Sequence, residues 1–278
     1  MRTVLLSAAL ASALAMPTLA EETQVTLPGG VEATLSLPDG AEGEVPAVIM
    51  LHGFGSSKDE VGGMYAREAA ALAERGIASL RISFRGFGKS DGDTGATTID
   101  QQVEDAVAAA EYLRAQEGVD ESRLGLLGFS LGGGVAVLAA AEHPDWFEAL
   151  ATWSSVGDFD TDMKASLGQE TFDRARAEGI IGLDLGWRTI ALKGEFFDSL
   201  ERHSITDALD TFDMPTLAVA GSEDFSAEYA EGFADKGAEG SEAWIVPEAD
   251  HIFGVLGDDQ ATAEEVITRT ADWFAQSL

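Results

Sequence analysis

The residue best placed to do covalent chemistry is Ser130, at the centre of Gly128-Phe-Ser-Leu-Gly132. A short apolar run, 123–127, precedes it. An Ala-rich, helix-forming run, 133–142, follows. Strand, tight turn and helix are the context in which a G-x-S-x-G segment lifts a serine hydroxyl clear of a sheet edge. Glycines on both sides let strand and helix pass closely around a strained serine. The first amides of the helix, Leu131 foremost, then point at any negative charge developing in front of the hydroxyl. A plain βα turn with a capping serine would show the same pentapeptide, so the rest of the chain has to supply partners.

A serine nucleophile needs a base, and the base needs a carboxylate to orient it. Of four histidines, His52 closes a strand, His143 ends a helix beside Pro144 and His203 lies in an irregular region. His251, in Ala249-Asp-His-Ile-Phe253, follows the last strand, where a loop can carry it over the serine. Asp224, in Gly221-Ser-Glu-Asp224, follows the preceding strand at its carboxyl end, where open α/β sheets collect their functional groups. Glu223 is the alternative acid, and Asp250 a weaker one because it adjoins the histidine.

The positioning elements follow from periodicity. Residues 24–27 and 31–37 alternate apolar and polar across Pro28-Gly-Gly30, which predicts an antiparallel hairpin. The solid apolar run at 45–51 predicts a strand covered on both faces, and 77–84, 149–154, 217–220 and 243–246 read as further strands. Amphipathic stretches at 64–75, 98–116, 227–236 and 261–276 predict the helices between them. Such alternation implies a mostly parallel sheet with helices on both faces. Between about 156 and 213 the rhythm breaks. No strand is evident there, only helical pieces near 170–178, 187–192 and 196–202, which predicts a helical lid inserted over the site.

Residues 1–20 differ in kind. Arg2, an apolar stretch over 4–16 and Pro17-Thr-Leu-Ala20 before two glutamates form a secretory signal pattern. Export to a periplasm or the medium is expected, with 21–278 as the mature domain. The apolar stretch is short for a bilayer span, so no stable membrane insertion is expected after cleavage. The chain has no cysteine, which excludes disulfides, thiolate metal sites and a cysteine nucleophile. Forty-nine acidic against 17 basic residues give a net charge of −32. That field repels nucleic acid and anionic membranes. It also suits salty surroundings, where ions screen self-repulsion, although ordinary acidic exported proteins share the composition. Nothing in the pattern sets an oligomeric state.

Taken together, these segments resemble the α/β-hydrolases over nearly the whole mature length. They most resemble serine esterases of the cinnamoyl/feruloyl-esterase type and the related acylaminoacyl-peptidase-like hydrolases. The chain order Ser130, Asp224, His251 is that of the superfamily's triad. His52-Gly-Phe-Gly55 is similar to the family's oxyanion segment, which implies that the Phe54 and Leu131 amides form the oxyanion hole. Arg85-Gly-Phe-Gly-Lys-Ser-Asp-Gly92 resembles the loop after the second parallel strand. One departure stands out: the family's acid loop continues with a small, apolar, proline sequence, whereas here it reads Asp224-Phe-Ser-Ala227.

The resemblance implies cleavage of a small-molecule or oligosaccharide-linked carboxylic ester through an acyl-enzyme, with no metal or organic cofactor. A serine peptidase of acylaminoacyl or dipeptidyl type is the second reading, although few residues precede the first strand to make a gating domain. A non-catalytic binding protein on the same scaffold is the third. Phe129 and Phe253 beside the catalytic segments, and Trp187, Phe196 and Phe197 in the insertion, are the expected substrate contacts. Other signals fail. Gly88-Lys-Ser90 lacks the glycine a phosphate loop requires, since Ser83 stands there. Asp158-x-Asp-x-Asp162 has Met163 and Gln169 at the sixth and twelfth positions of a calcium loop, and so predicts only solvated acid. No G-x-G-x-x-G follows the first parallel strand, so no dinucleotide is expected.

Overall fold

The computed structural model describes residues 20–278, so the expected signal peptide lies, except for Ala20, outside the described residues. Strands β1 (Glu21–Leu27) and β2 (Val31–Leu37) form the antiparallel hairpin across Pro28–Gly30. Then come β3 (Val45–Leu51), α1 (Met64–Ala73), β4 (Ala78–Ile82), α2 (Ile99–Arg114), β5 (Val119–Phe129), α3 (Leu131–Glu142) and β6 (Ala149–Trp153). The insertion contributes α4 (Phe159–Leu167), α5 (Gln169–Glu178), β7 (Ile180–Asp184), β8 (Thr189–Lys193), α6 (Gly194–Leu200) and α7 (Ile205–Leu209). Strand β9 (Thr216–Gly221), α8 (Ala227–Lys236), β10 (Glu242–Val246) and α9 (Ala261–Ser277) complete the fold.

The main sheet runs β1-β2-β4-β3-β5-β6-β9-β10. Strand β2 pairs antiparallel with β1 and β4, and every other pairing is parallel. Period-two alternation splits the strands between two cores. Ala47, Ile49 and Leu51 face the side covered by α2, α3 and α8, and Val48 and Met50 face the side covered by α1 and α9. Burial on both faces is why β3 is a continuous apolar run rather than an alternating one. The pairing of β3 with β5 jumps from Val45↔Val119 to Ala47↔Leu124. Val119-Asp-Glu-Ser122, whose residue types read as a turn before the apolar run, therefore lies within a strand that starts earlier, with an irregularity in its pairing.

The insertion corrects the sequence reading. Residues 187–192 are not helical: β7 and β8 form a separate antiparallel hairpin, paired from Ile180↔Lys193 to Asp184↔Thr189. Ile181, Ile190 and Leu192 are buried while Ile180, Gly182, Thr189 and Ala191 are exposed. That is the two-residue period of a half-buried strand. Helices α4 and α7 were also not expected. Asp158 caps α4 by accepting the Thr161 N–H, at 2.7 Å. Nor is Asp162 solvated acid: it is buried, accepting the Gly157 N–H at 2.8 Å and the Tyr229 hydroxyl at 2.8 Å.

Parallel strands deliver their carboxyl ends to one edge. The segments after β3, β5, β9 and β10 meet there, bringing together residues from positions 52 to 256.

Candidate active site

The site is built around a turn that only two glycines make possible. Ser130 is held at φ 54°, ψ −119°, a region non-glycine residues rarely enter. Its N–H donates to Trp153 O (2.9 Å), and its carbonyl accepts the Gly133 and Val156 amides, at 3.0 and 3.2 Å. A Cβ on Gly128 would stand 2.3 Å from Gly132 O, and one on Gly132 would stand 2.2 Å from Leu51 O. Those neighbours are backbone and cannot move aside, so strand and helix reach this approach only without side chains.

The Ser130 Oγ lies 3.1 Å from His251 Nε2. On the other side of the ring, His251 Nδ1 is 3.0 Å from both Asp224 carboxylate oxygens. The side chain of His251 is 34% exposed and that of Asp224 5%, so the imidazole is open to solvent while the carboxylate is shut behind it. Burial pushes the Asp224 carboxyl upward, but the His251 hydrogen bond and charge and the Ser226 donors outweigh it and hold it below its ordinary value. The Ser226 hydroxyl donates to Asp224 Oδ2, with the Ser226 amide at 3.4 Å. The atypical Asp-Phe-Ser-Ala loop thus brings its own hydrogen-bond donor to the acid. Glu223 is exposed, its backbone amide bonded to Ala249 O at 3.0 Å. Asp250 accepts the Ile252 and Gly254 amides at 3.1 and 2.8 Å, and so shapes the loop that carries the histidine.

The segment 52–56 runs directly in front of Ser130. A methyl group on Gly53 would sit 2.9 Å from the Phe129 ring and 3.2 Å from Ser130 Cβ. His52 is buried, with Nε2 accepting the Phe84 N–H at 3.1 Å and Nδ1 bonded to Gly53 O at 2.8 Å. Burial lowers its pKa to about 4, against the raising effect of the Gly53 bond and with Arg188 adding to the fall. The ring is therefore neutral, with its proton on Nδ1. Below its ordinary value of 6.5 the unfolded chain binds a proton that the folded chain refuses, so stability is lost as pH falls toward 4. By pH 5 the loss from this group should reach about 2 kcal/mol. Urea unfolding at pH 7.5, 6 and 5 measures it, and His52→Gln should flatten the decline. An unchanged slope in that variant would show that His52 is not its source. Of the remaining histidines, His143 stacks on Trp146 and His203 bonds Asp100.

Leu131 opens α3, where first-turn amides have no intrahelical acceptor. Among the described residues, none accepts a hydrogen bond from the Phe54 N–H. The Phe54 and Leu131 amides, on the two segments where the sequence places the oxyanion donors, thus have no hydrogen-bond acceptor among the described residues.

The aromatic expectations divide. Phe196 and Phe197 are buried in the core of the insertion with Phe172, and Phe253 is buried under the histidine loop. As they stand, these three have no surface to offer a substrate: Phe197 and Phe253 fill the core beneath their own segments, and Phe196 is also stacked on Phe54 of the 52–56 segment, ring centroids 5.5 Å apart. Phe129 is also buried, with its ring centroid 5.1 Å from that of His251. It packs against the His251 imidazole. Trp187 is 63% exposed at the tip of the β7–β8 hairpin. A Cβ on Gly55 would touch its ring at 3.4 Å, and Arg188 beside it donates to Gly55 O. The insertion therefore reaches the site through a hairpin tip. Sequence reasoning passed over Phe225, 44% exposed and stacked on His251 at 5.5 Å and 25°. Its place directly after Asp224 was the available signal. No group of three or more histidine and acidic side chains among the described residues is arranged to hold a metal ion.

Sheet order, elbow and loop positions are those of an α/β-hydrolase. The family described as serine aminopeptidase, S33 (Hydrolase_4), matches residues 44–183, and the chain belongs to that family. An uncharacterized 31.7 kDa protein of the traX-finO intergenic region of Escherichia coli is 35% identical over 113 residues, covering 41% of this chain and 38% of that one. A thiohydrolase of Aspergillus aculeatus, aneE, is 34% identical over 100 residues, 36% of this chain and 30% of that one. The matched stretch spans well under two thirds of either relative. Among solved structures, the ferulic acid complex of Est1E from Butyrivibrio proteoclasticus has a TM-score of 0.73 at 22% identity, over 92% of this chain and 98% of that one. This likeness is one of fold.

Proposed function

We propose that this hydrolase is a serine carboxylesterase that works through an acyl-enzyme on Ser130. The observation that carries this reading is the continuous relay from Ser130 Oγ through His251 to Asp224, at 3.1 and 3.0 Å, with the serine held in a strained elbow. His251 Nε2 takes the hydroxyl proton as Oγ attacks the ester carbonyl, and Asp224 stabilises the resulting imidazolium. The Phe54 and Leu131 amides receive the oxyanion. The alkoxide departs with the proton from His251, and water repeats the cycle on the acyl-enzyme.

For the substrate, we favour a neutral ester with an aromatic acyl group, of feruloyl or cinnamoyl type. Trp187 and Phe225 offer exposed rings on the oxyanion-loop and histidine sides of Ser130. The fold likeness to an esterase crystallised with ferulic acid points the same way. A net charge of −32 disfavours anionic substrates at low ionic strength. The signal pattern in 1–20 supports export to the periplasm or medium. The family's description as an aminopeptidase favours a peptidase as the second reading. Assay against acetyl, feruloyl and thio-esters and a chromogenic aminoacyl amide separates the readings. Faster turnover of the amide than of every ester would decide for the peptidase, and no labelling by a serine-directed phosphonate would decide against both.

Substrate choice should follow exposure. Trp187→Ala and Phe225→Ala are each expected to lower the feruloyl-to-acetyl ratio of kcat/KM by about tenfold, the usual worth of one apolar contact in a pocket. Phe196→Ala and Phe197→Ala should lower the melting temperature and leave the ratio alone. A ratio within twofold of wild type in both exposed-ring variants would refute this selectivity.

A further inference from the structure

Glu60 is the one described residue outside the triad that combines a strained backbone, a carboxyl enclosed by donors and contact with the oxyanion segment. Its φ of 58° and ψ of 179° lie where essentially only glycine is found. One carboxylate oxygen accepts the Gly53 N–H, and the other accepts the Ser56 hydroxyl at 3.0 Å and the Val61 N–H at 2.8 Å. Burial raises its pKa in spite of these donors, and the charge of nearby His251 opposes the rise.

The geometry around Gly53 shows what the carboxylate controls. The Gly53 carbonyl accepts from His52 Nδ1 at 2.8 Å and from the Ser56 N–H at 3.2 Å. In a trans peptide the N–H of the next residue points the opposite way, so pinning that carbonyl aims the Phe54 N–H. Glu60 pins the preceding peptide through its N–H, and both planes beside Gly53 are then held. The same turn also braces the histidine loop. Gly62 is so close to Val255, four residues beyond His251, that a Cβ there would lie 2.6 Å from Val255 Cγ2. Tyr65 anchors the turn from below, its N–H bonded to Asp59 O at 3.2 Å and its hydroxyl to Leu51 O at 2.9 Å.

We propose that Glu60 is a positioning residue that locks the oxyanion segment 52–56 against the histidine loop, so that the Phe54 amide meets the oxyanion formed on Ser130. This rests on the esterase reading above. A glycine at position 60 would adopt the same backbone without strain, so fold alone does not call for glutamate there.

The test is Glu60→Gly, assayed with p-nitrophenyl acetate and with a p-nitrophenyl phosphonate that labels serine nucleophiles. Because strain is relieved as the hydrogen bonds are lost, the melting temperature should change by only a few degrees. A misaimed oxyanion donor should lower kcat by about tenfold to a hundredfold, somewhat less than outright removal of such a donor. KM should stay within twofold, the phosphonylation rate should fall in step, and Glu60→Gln, which keeps one acceptor toward Gly53, should fall between the two proteins. A folded Glu60→Gly with wild-type kcat, or with its loss confined to KM, overturns the proposal. If that variant does not fold, a folded Glu60→Gln with wild-type kcat does so. Wild-type protein that neither hydrolyses the ester nor is labelled would instead overturn the esterase reading.

Discussion

Ser130→Ala is expected to lower kcat by about four to six decades on any ester the wild type accepts, because the acyl-enzyme can no longer form. His251→Ala should cost about as much, and the double variant little more, since the two residues act as a unit. Neither change touches the packing that makes the elbow. The backbone of 130 is held by the Trp153 carbonyl and the Gly133 and Val156 amides, which alanine leaves in place. His251 is partly exposed, so its truncation empties no core. Both variants should therefore melt close to wild type, which separates a chemical loss from an unfolding one. Purified Ser130→Ala that turns over esters at the wild-type rate would end the assignment of the nucleophile.

Asp224→Asn should lower kcat by about three to four decades, with Glu223→Gln within twofold of wild type. An asparagine amide in that position would face His251 Nδ1 as a donor and favour the tautomer that cannot accept the serine proton. The Ser226 hydroxyl and amide, which now complement a carboxylate, would stabilise less charge. Glu223 stands one residue away but is exposed and makes no bond to the imidazole among the described residues. A harmless Asp224→Asn beside an inactive Glu223→Gln would transfer the role to Glu223.

Much of this arrangement is legible in the sequence. The buried runs at Val45–Leu51 and Ala149–Trp153 and the β1–β2 hairpin lie where the sequence pattern puts them. So do the turn at Ser130 and the helices Ala227–Lys236 and Ala261–Ser277. The hairpin of Ile180–Asp184 and Thr189–Lys193 was legible in principle, since Ile190 and Leu192 alternate with exposed neighbours. Five residues of alternation, however, are too short to outweigh the helical pieces on either side.

What the sequence by itself determined is the set of chemically capable groups and their order: the serine between its glycines, an acid and a histidine after late strands, and a sheet whose carboxyl edge collects them. These follow from local causes, the demand of a tight turn for glycine and of a doubly covered strand for unbroken apolar side chains. The tertiary structure alone decided which acid meets His251. It also decided that Phe196, Phe197 and Phe253 are buried while Trp187 and Phe225 are exposed, and that Glu60 reaches back to Gly53. Each of those outcomes depends on contacts between segments far apart in the chain. A side chain's burial and hydrogen-bond partners are set by what folds against it, and no local periodicity carries that information.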